Sequence, residues 1–258
     1  MKGFVLGGTA SGVGKTVATL VVMTALQEAG RTVQPAKAGP DFIDPSHHAE
    51  LAGRHSRTLD VWLEGVEGLR RNYAQGSGDI AVVEGVMGMY DGDASSTAMV
   101  AEALDLPVIL VVDAEAGMES VAATALGFQQ YAERAGTDVD VAGVLAQRAH
   151  GGRHENGIRE ALPDSLTYFG RIPPRESLEI PDRHLGLFMG EEAPLPKNAL
   201  REAAQSIRTD RLLEVGREPP APSQKGHPKP QDACVALARD QAFSFLYPAV
   251  RERLDAAG

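Results

Sequence analysis

The chain has 258 residues, which at roughly 150 residues per domain predicts one large domain or one domain plus a fragment. Its formal net charge of −10 argues against a nucleic-acid surface and against binding to anionic membranes. A single cysteine excludes a disulfide framework, and we therefore expect a reducing, cytoplasmic setting. The apolar run from Pro107 to Val112 is far shorter than the roughly 20 residues of a membrane span, and because a strand-like run begins at Gly3 we expect no signal peptide.

Short apolar runs alternate with longer helical patterns along the chain. The runs are rich in β-branched residues, which is typical of strands buried on both faces of a parallel sheet. The predicted strands are Phe4–Leu6, Val33–Ala36, Ile80–Val83, Val108–Val112 and Val141–Leu145. The predicted helices are Thr16–Ala29, Ser96–Leu104 and Met118–Ala135, with Gly30 and Gly136 after the first and the third. This alternation predicts an α/β fold of right-handed βαβ units.

The first predicted turn has the composition of a phosphate-binding loop. It runs from Gly7 to Thr16, follows a strand, opens a helix and ends in Gly-Lys-Thr. Its glycines let backbone N–H groups converge on a phosphate, and the helix N-terminus adds partial positive charge. We expect Lys15 to reach the β and γ phosphates of ATP, and the Thr16 hydroxyl to bind Mg²⁺. The residues predicted to bind the nucleotide are Thr9, Ala10, Ser11, Gly12, Val13, Gly14, Lys15 and Thr16.

A basic residue and two acids follow the second predicted strand. Prolines at positions 40 and 45 predict an extended loop, which presents Lys37, Asp41 and Asp44 at the carboxyl edge of the sheet. Open α/β sheets bind their ligands at this edge. The sequence alone leaves open whether Asp41 or Asp44 holds Mg²⁺ or orients an attacking group.

The third predicted strand ends in an acid beside the phosphate loop. Glu84 holds this position, where a carboxylate is expected to bind Mg²⁺ directly or through water. Gly85, Gly88 and Gly92 then allow the backbone to approach a ligand closely, and Asp91 lies among them.

The composition changes after residue 216. Five of the 15 residues from 217 to 231 are proline, which predicts an extended linker. Residues 232–258 are too few for a domain and begin with a strand-like run, Cys234–Ala238, in which we expect Cys234 to be buried and structural. We therefore expect a main domain over 1–216, a linker over 217–231, and a segment over 232–258 that docks on the main domain or belongs to a further one.

Three blocks of the sequence carry a family likeness: Gly8–Thr16, Lys37–Pro45 and Val83–Gly92. Shorter matches occur at Ser96–Ala98, Val111–Ala114, Gly117–Met118 and Arg183–Leu187. Together these blocks resemble the cobyrinic acid a,c-diamide synthase family, and the Glu-Gly-Val-Met-Gly stretch that starts at Glu84 is the most specific of them. The likeness covers nearly the whole chain.

This resemblance implies a P-loop synthetase domain similar to dethiobiotin synthetase, with a mostly parallel sheet flanked by helices. The family activates side-chain carboxylates of a corrinoid precursor with ATP and converts them to amides. Its nitrogen comes from glutamine, which a C-terminal amidotransferase domain hydrolyses, and the run from Ala236 to Phe243 resembles the opening strand of that domain. The resemblance thus implies a tetrapyrrole carboxylate as substrate and ammonia from a glutaminase domain or subunit, and it leaves a homodimer open.

The family's motifs also suggest roles for single residues. The residues expected to act in catalysis, by neutralising charge or moving a proton, are Lys15, Lys37, Asp44, Glu84 and Asp91. The residues expected to hold Mg²⁺ are Thr16, Asp41 and Glu84. Within the catalytic group, Asp44 or Asp91 is the acid expected to take a proton from the attacking ammonia.

Two other functions fit the same scaffold. A carboxylase like dethiobiotin synthetase would form ADP in response to diaminopelargonate and bicarbonate. A switch ATPase would act by binding protein partners, but Ala10 stands where such ATPases carry an extra lysine.

Three further features concern recognition of the base and the roles of histidines. Residues 147–148 read Gln-Arg where the family often has Asn-Arg, so the residue that recognises the base is left open. His184 is expected to be a structural histidine. His47 and His48 have no evident third ligand and are not expected to form a zinc site.

Overall fold

The computed structural model of the chain describes residues 1–180, 182–183, 186–223, 234–238, 240 and 243–257. Within them, one sheet of seven strands forms the centre of the fold. Its strands are β1 (Lys2–Gly8), β2 (Val33–Ala38), β3 (Arg57–Leu59), β4 (Ile80–Glu84), β5 (Val108–Asp113), β6 (Val141–Gln147) and β7 (Thr167–Arg171). Their order is β3-β2-β4-β1-β5-β6-β7, and all neighbouring strands run parallel. A separate antiparallel pair consists of β8 (Asp182–Arg183) and β9 (Gly186–Leu187).

Helices cover both faces of the sheet and connect its strands. They are α1 (Lys15–Glu28), α2 (Ile43–Ala52), α3 (Val61–Ala74), α4 (Thr97–Leu104), α5 (Glu119–Ala135), α6 (Arg153–Ala161), α7 (Lys197–Ala204), α8 (Thr209–Val215) and α9 (Pro248–Ala257), with a short 3-10 helix at Glu176–Leu178. In the described residues, no helix combines the length and apolar content that crossing a lipid bilayer requires.

The core has two halves, one on each face of the sheet. Successive side chains of a strand point to opposite faces. Accordingly, Val5 of β1 packs with residues of α3, α4 and α5, whereas Phe4 and Leu6 pack with α1 and α7 on the other face. Because both faces are covered, the carboxyl ends of the central strands remain as the accessible edge that can receive a ligand.

The sequence patterns predict the centre of this fold correctly. The five predicted strands are confirmed as β1, β2, β4, β5 and β6, and the three predicted helices as α1, α4 and α5. Ser96 caps α4 by accepting a hydrogen bond from the Met99 amide at 3.2 Å, and Gly136 follows α5 in the left-handed conformation with a φ of 68°. The parallel α/β prediction is therefore confirmed.

The extended loop predicted over residues 40–45 is wrong in its second half, because α2 begins at Ile43. Pro45 lies in the first turn of α2, where a proline is tolerated because its missing N–H would have no partner inside the helix. The Asp41 carboxylate accepts hydrogen bonds from the amides of Ile43 at 2.8 Å and Asp44 at 3.4 Å, and so stabilises the start of α2. Asp44 is therefore carried by a helix and not by a loop.

The segments after residue 216 are described in part. Arg217, the first residue of the predicted linker, pairs with Gly3 through backbone hydrogen bonds of 2.8 and 3.0 Å, which tie it to β1. Residues 224–231 of the linker lie outside the described residues, and so does His184. The domain limits stay a prediction.

The prediction that Cys234 is buried in a strand is wrong. In the described part of the chain, residues 234–238 form no strand, and Cys234 is exposed. An apolar run with no neighbouring strand to pair with has no sheet into which it can pack. The residues that follow dock on the main domain, because the Phe245 and Tyr247 rings stack on Phe42 with centroid distances of 4.6 and 4.4 Å.

Candidate nucleotide and carboxylate site

The candidate site forms at the carboxyl ends of three adjacent strands, β1, β2 and β4. Lys37 on β2 is paired in register with Glu84 on β4, and Glu84 is also paired with Leu6 on β1. The phosphate loop leaves β1 at the same edge. Parallel pairing therefore brings together three sequence blocks that lie far apart in the chain.

The phosphate loop has the backbone geometry that its glycines allow. Gly12 and Gly14 have φ values of 75° and 91°, in the left-handed region that favours glycine. A Cβ at Gly14 would also lie 2.6 Å from the Gln147 Nε2 atom. Gly14 is the N-cap of α1, and within the described residues no side chain caps this helix, so its first backbone N–H groups are available to an anion.

Lys15 bridges the phosphate loop and the segment after β4. Its Nζ donates to the Ala10 carbonyl at 3.1 Å and to the Met87 carbonyl at 2.5 Å. Burial, and then the nearby charge of Lys37, lower the pKa of Lys15 below its ordinary value. A bound phosphate would oppose both effects, since it adds negative charge to that of Glu84, Asp44 and Asp91.

The other predicted residues of the loop take different positions. Ser11, Gly12, Gly14, Lys15 and Thr16 line a cavity of about 610 Å³. The Val13 side chain packs into the core under α1, so only its backbone can serve a ligand. Thr9 lines a different cavity, described below.

Two carboxylates converge on the Thr16 hydroxyl. Its Oγ1 atom lies 3.0 Å from Glu84 Oε1 and 3.1 Å from Asp44 Oδ1, and it donates to one of them at a time. The Lys37 ammonium joins the same group, with Nζ 2.9 Å from Glu84 Oε1 and 2.5 Å from Asp44 Oδ2. We call Thr16, Lys37, Asp44 and Glu84 the acid–lysine cluster.

Burial makes the charges of this cluster interdependent. Burial by itself would raise the pKa of Glu84, but the Lys37 charge and a hydrogen bond from His48 hold it well below its usual range. Burial would likewise lower the pKa of Lys37, yet the charges of Glu84 and Asp44 raise it. Burial, and then the Glu84 charge, raise the pKa of Asp44 to about 8. Glu84 and Lys37 thus form a charged pair, and Asp44 is the member that can hold a proton near neutral pH.

Asp41 and Asp91 stand outside the closest contacts of the cluster. Asp41 Oδ2 lies 3.6 Å from the Lys37 Nζ atom, while its other oxygen stabilises α2. Asp44, and not Asp41, is therefore the acid that the structure brings to Thr16. The exposed Asp91 accepts a hydrogen bond from the Gly88 amide at 3.2 Å and lines a second cavity of about 610 Å³ with aromatic residues of α5.

The donor set fits a magnesium ion bound together with phosphate. Octahedral Mg²⁺ holds oxygen ligands at about 2.1 Å, so adjacent ligands lie about 3 Å apart. The Thr16 Oγ1 atom lies at that spacing from Glu84 Oε1, at 3.0 Å, and from Asp44 Oδ1, at 3.1 Å. Among the described residues, no three His, Cys, Asp or Glu side chains form a ready-made metal site. An ion here would therefore combine the Thr16 hydroxyl and one or two carboxylates with phosphate and water ligands.

One wall of the nucleotide cavity comes from the ends of β6 and β7 and the residues that follow them. Gln147, Arg148 and residues 172–175 line it. Gln147 is 5% exposed, and its Oε1 atom has no hydrogen-bond partner within the described residues. The Gln-Arg pair therefore does lie in the cavity, with the Gln147 side chain against Gly14 of the phosphate loop.

Sequence reasoning missed the groups that surround Glu84. His48, fully buried on α2, has its Nε2 atom 2.7 Å from Glu84 Oε2, and Ser56 lies on the other side of the ring. The available signal was the four-residue spacing between Asp44 and His48, which places both on one helix face. That signal was hidden because Pro45 led to the prediction of a loop.

Comparisons with known proteins agree with this geometry. Residues 4–188 match the family described as "CbiA: CobQ/CobB/MinD/ParA nucleotide binding domain", and the chain belongs to this family of nucleotide-binding domains. It is similar to the cobyrinate a,c-diamide synthase of Haloarcula marismortui, with 65% identity over 98% of this chain and 58% of the relative. It is also similar to the hydrogenobyrinate a,c-diamide synthase of Rhodobacter capsulatus, with 38% identity over 100% of this chain and 61% of the relative. The resemblance seen in the sequence motifs is therefore confirmed.

The chain spans about three fifths of the length of these relatives. Among solved structures, it is similar to the MinC:MinD cell division protein complex of Aquifex aeolicus, with a TM-score of 0.50 and 17% identity over 88% of this chain and 100% of that one. This likeness concerns the fold alone.

Proposed function

We propose that this chain is the ATP- and Mg²⁺-dependent synthetase part of an enzyme that amidates the a and c side-chain carboxylates of cobyrinic acid or a related tetrapyrrole. The observation that carries the proposal is the acid–lysine cluster at the N-terminus of α1, where two carboxylates meet the Thr16 hydroxyl beside a buried lysine. The similarity to a,c-diamide synthases supports the substrate class.

The chemical problem is that a carboxylate is a poor electrophile. When bound, MgATP supplies a γ-phosphoryl group that the substrate carboxylate attacks, giving ADP and an acyl phosphate, from which ammonia displaces phosphate to form the amide. The reaction thus brings two anions together, and the chain's task is to hold them and to balance their charge.

The residues of the site divide this task. Lys15 and the uncapped N-terminus of α1 face the phosphates, and Lys37 carries positive charge into the wall next to them. Thr16 and Glu84 supply the oxygen atoms that would hold Mg²⁺, which leaves Asp44 for proton transfer. We propose that Asp44 or Asp91 accepts the proton that the attacking ammonia releases, as the sequence motifs suggest.

Space for a large substrate lies next to the nucleotide cavity. A cavity of about 620 Å³ extends between α2 and the segment at 244–255, and Asp41 lines both cavities. Ligand sites commonly measure about 300–1,000 Å³, so this volume suits a bulky multi-acid ring. A carboxylate arm that passes Asp41 would reach the phosphate end of the first cavity.

The source of the nitrogen, the cellular location and the oligomeric state are also proposals. A glutaminase needs a nucleophilic cysteine held beside a histidine and an acid. Cys234 is exposed in a stretch without strand or helix, so we propose that ammonia reaches this chain from a glutaminase domain or subunit, or as free ammonium. The cytoplasmic location and the homodimer stay predictions.

The test is ADP formation with defined substrates. The chain is incubated with MgATP, an ammonium salt and either cobyrinic acid or hydrogenobyrinic acid, and the products are identified by mass spectrometry. We expect the chain to form ADP together with the monoamide and diamide products. A Lys15→Met variant should form neither ADP nor amide. ADP release that needs diaminopelargonate and bicarbonate would instead support the carboxylase, and hydrolysis indifferent to any acid would support a switch ATPase.

A further inference from the structure

His48 occupies an unusual place beside the proposed catalytic centre. It lies on α2, is 0% exposed, and directs Nε2 at Glu84 Oε2 over 2.7 Å. In the described part of the chain, it is not among the residues that line the nucleotide cavity. Among the described residues, it does not line the cavity proposed for the substrate either, and its contact with the nucleotide site is made through Glu84.

The contact divides the two oxygens of the Glu84 carboxylate between different partners. Oε2 faces His48, while Oε1 faces the Thr16 hydroxyl at 3.0 Å and the Lys37 ammonium at 2.9 Å. A carboxylate at the end of a strand can otherwise rotate about its last bonds. With Oε2 fixed, Oε1 is held toward the cavity and toward the hydroxyl that opens α1.

Ser56 fixes the histidine ring from its other side. Its Oγ atom lies 3.1 Å from His48 Nδ1, and Ser56 is 3% exposed. Because the Glu84 oxygen can only accept, Nε2 must carry the proton in this pair. The rotatable Ser56 hydroxyl satisfies Nδ1, so both ring nitrogens have partners and the ring has one preferred orientation.

We propose that His48, held by Ser56, is a positioning residue that orients Glu84 Oε1 for Mg²⁺-bound nucleotide. The inference rests on the proposed function, since it assumes that Glu84 serves the metal–phosphate end of the site. Partners that orient metal ligands in this way typically change metal affinity or activity by about 10- to 100-fold when they are removed. We expect an effect of that size, confined to the metal-dependent part of nucleotide binding.

The experiment measures binding of a non-hydrolysable ATP analogue to the full chain by calorimetry, with Mg²⁺ and with EDTA. His48→Leu keeps the apolar volume but removes the donor, and we expect it to raise the Kd in Mg²⁺ by about 10- to 100-fold while changing the Kd in EDTA little. His48→Gln places an amide donor near the Nε2 position and should restore most of the affinity. Ser56→Ala should weaken Mg²⁺-dependent binding by a smaller factor, about 2- to 10-fold.

The neighbouring His47 is the matched control. It is 2% exposed on the same helix, but its Nε2 atom contacts the Phe188 carbonyl at 2.9 Å and not Glu84. His47→Leu should therefore leave the Mg²⁺-dependent affinity close to that of the wild type.

Three results would overturn the inference. The first is a His48→Leu variant that binds as the wild type does, or that loses affinity equally in Mg²⁺ and EDTA. The second is a His48→Gln variant whose Mg²⁺-dependent affinity is no higher than that of His48→Leu. The third is a Ser56→Ala variant whose Mg²⁺-dependent affinity equals that of the wild type, and this result can be obtained even if His48→Leu does not fold. Because no tetrapyrrole is present, a chain that passes these tests but forms no ADP with any tetrapyrrole contradicts only the proposed function.

Discussion

Replacing Lys37 with methionine keeps most of the apolar stem of the side chain but removes its ammonium group. Among the described residues, this is the only ammonium that directly contacts both carboxylates of the acid–lysine cluster. The lysine is 3% exposed, and its Nζ lies 2.5 Å from Asp44 and 2.9 Å from Glu84. Asp44, whose pKa is raised to about 8, can take up a proton when the lysine is lost. Glu84 is 0% exposed and would be left as a buried charge with His48 and Thr16 as its donors.

Breaking a buried ion pair by removing one partner costs about 3–5 kcal/mol, and in a chain of this size each kcal/mol lowers the Tm by about 2–4 °C. We therefore expect Lys37→Met to lower the Tm by about 6–20 °C, measured by circular dichroism, with the loss of nucleotide-dependent activity. In the Lys37→Met/Glu84→Gln double variant, the uncompensated charge is absent. Its destabilisation should fall short of the sum of the single variants by about 1–3 kcal/mol in urea unfolding.

The exposed Lys197→Met serves as a control and should change the free energy of unfolding by no more than about 0.5 kcal/mol. A Lys37→Met variant as mild as this control would refute the reasoning. So would additive effects of Lys37→Met and Glu84→Gln, because they would mean that the two charges do not depend on each other.

Three further predictions concern single positions. Thr16→Ala should weaken Mg²⁺-dependent binding of an ATP analogue by about 10- to 100-fold, since a contact to a charged group contributes about 1.5–3 kcal/mol, and unchanged calorimetric affinity would contradict this. Gly14→Ala should lose nucleotide binding, because φ is 91° and the new Cβ would lie 2.6 Å from Gln147 Nε2. Gly127→Ala in α5 should bind normally, because its new Cβ would meet no described atom within 4 Å apart from its chain neighbours and the backbone of its own helix. Equal nucleotide affinities of the two variants would contradict this prediction. Cys234→Ser should leave ammonium-dependent amide formation unchanged because Cys234 is exposed, and a tenfold slower rate would show that the thiol takes part.

The parts of the fold that the sequence predicts are those in which one local pattern dominates. β1, β4 and β5 are apolar on both faces and appear as continuous runs. β3 has three residues, and Gly170 interrupts β7, so neither carries such a run. α3 contains Gly65 with a φ of 64°, which breaks its helical pattern at the start of the element.

The candidate site is predictable where its residues end adjacent strands. Lys37 and Glu84 were found because a charged residue at the end of a buried strand is conspicuous, and their parallel register brings them together. The choice between Asp41 and Asp44 depends on where α2 begins, which Pro45 conceals. His48 becomes visible only when α2 is known to be a helix, because its contact with Glu84 joins a helix face to a strand end.

The transfer of oxygen from the substrate to phosphate tests the central claim most directly. A corrinoid whose a and c carboxylates carry a heavy oxygen isotope is converted by the chain with MgATP and ammonium, and the released phosphate is analysed by mass spectrometry. Phosphoryl activation predicts that each amide formed delivers one labelled oxygen atom to inorganic phosphate. Amide formation accompanied by unlabelled phosphate would contradict it.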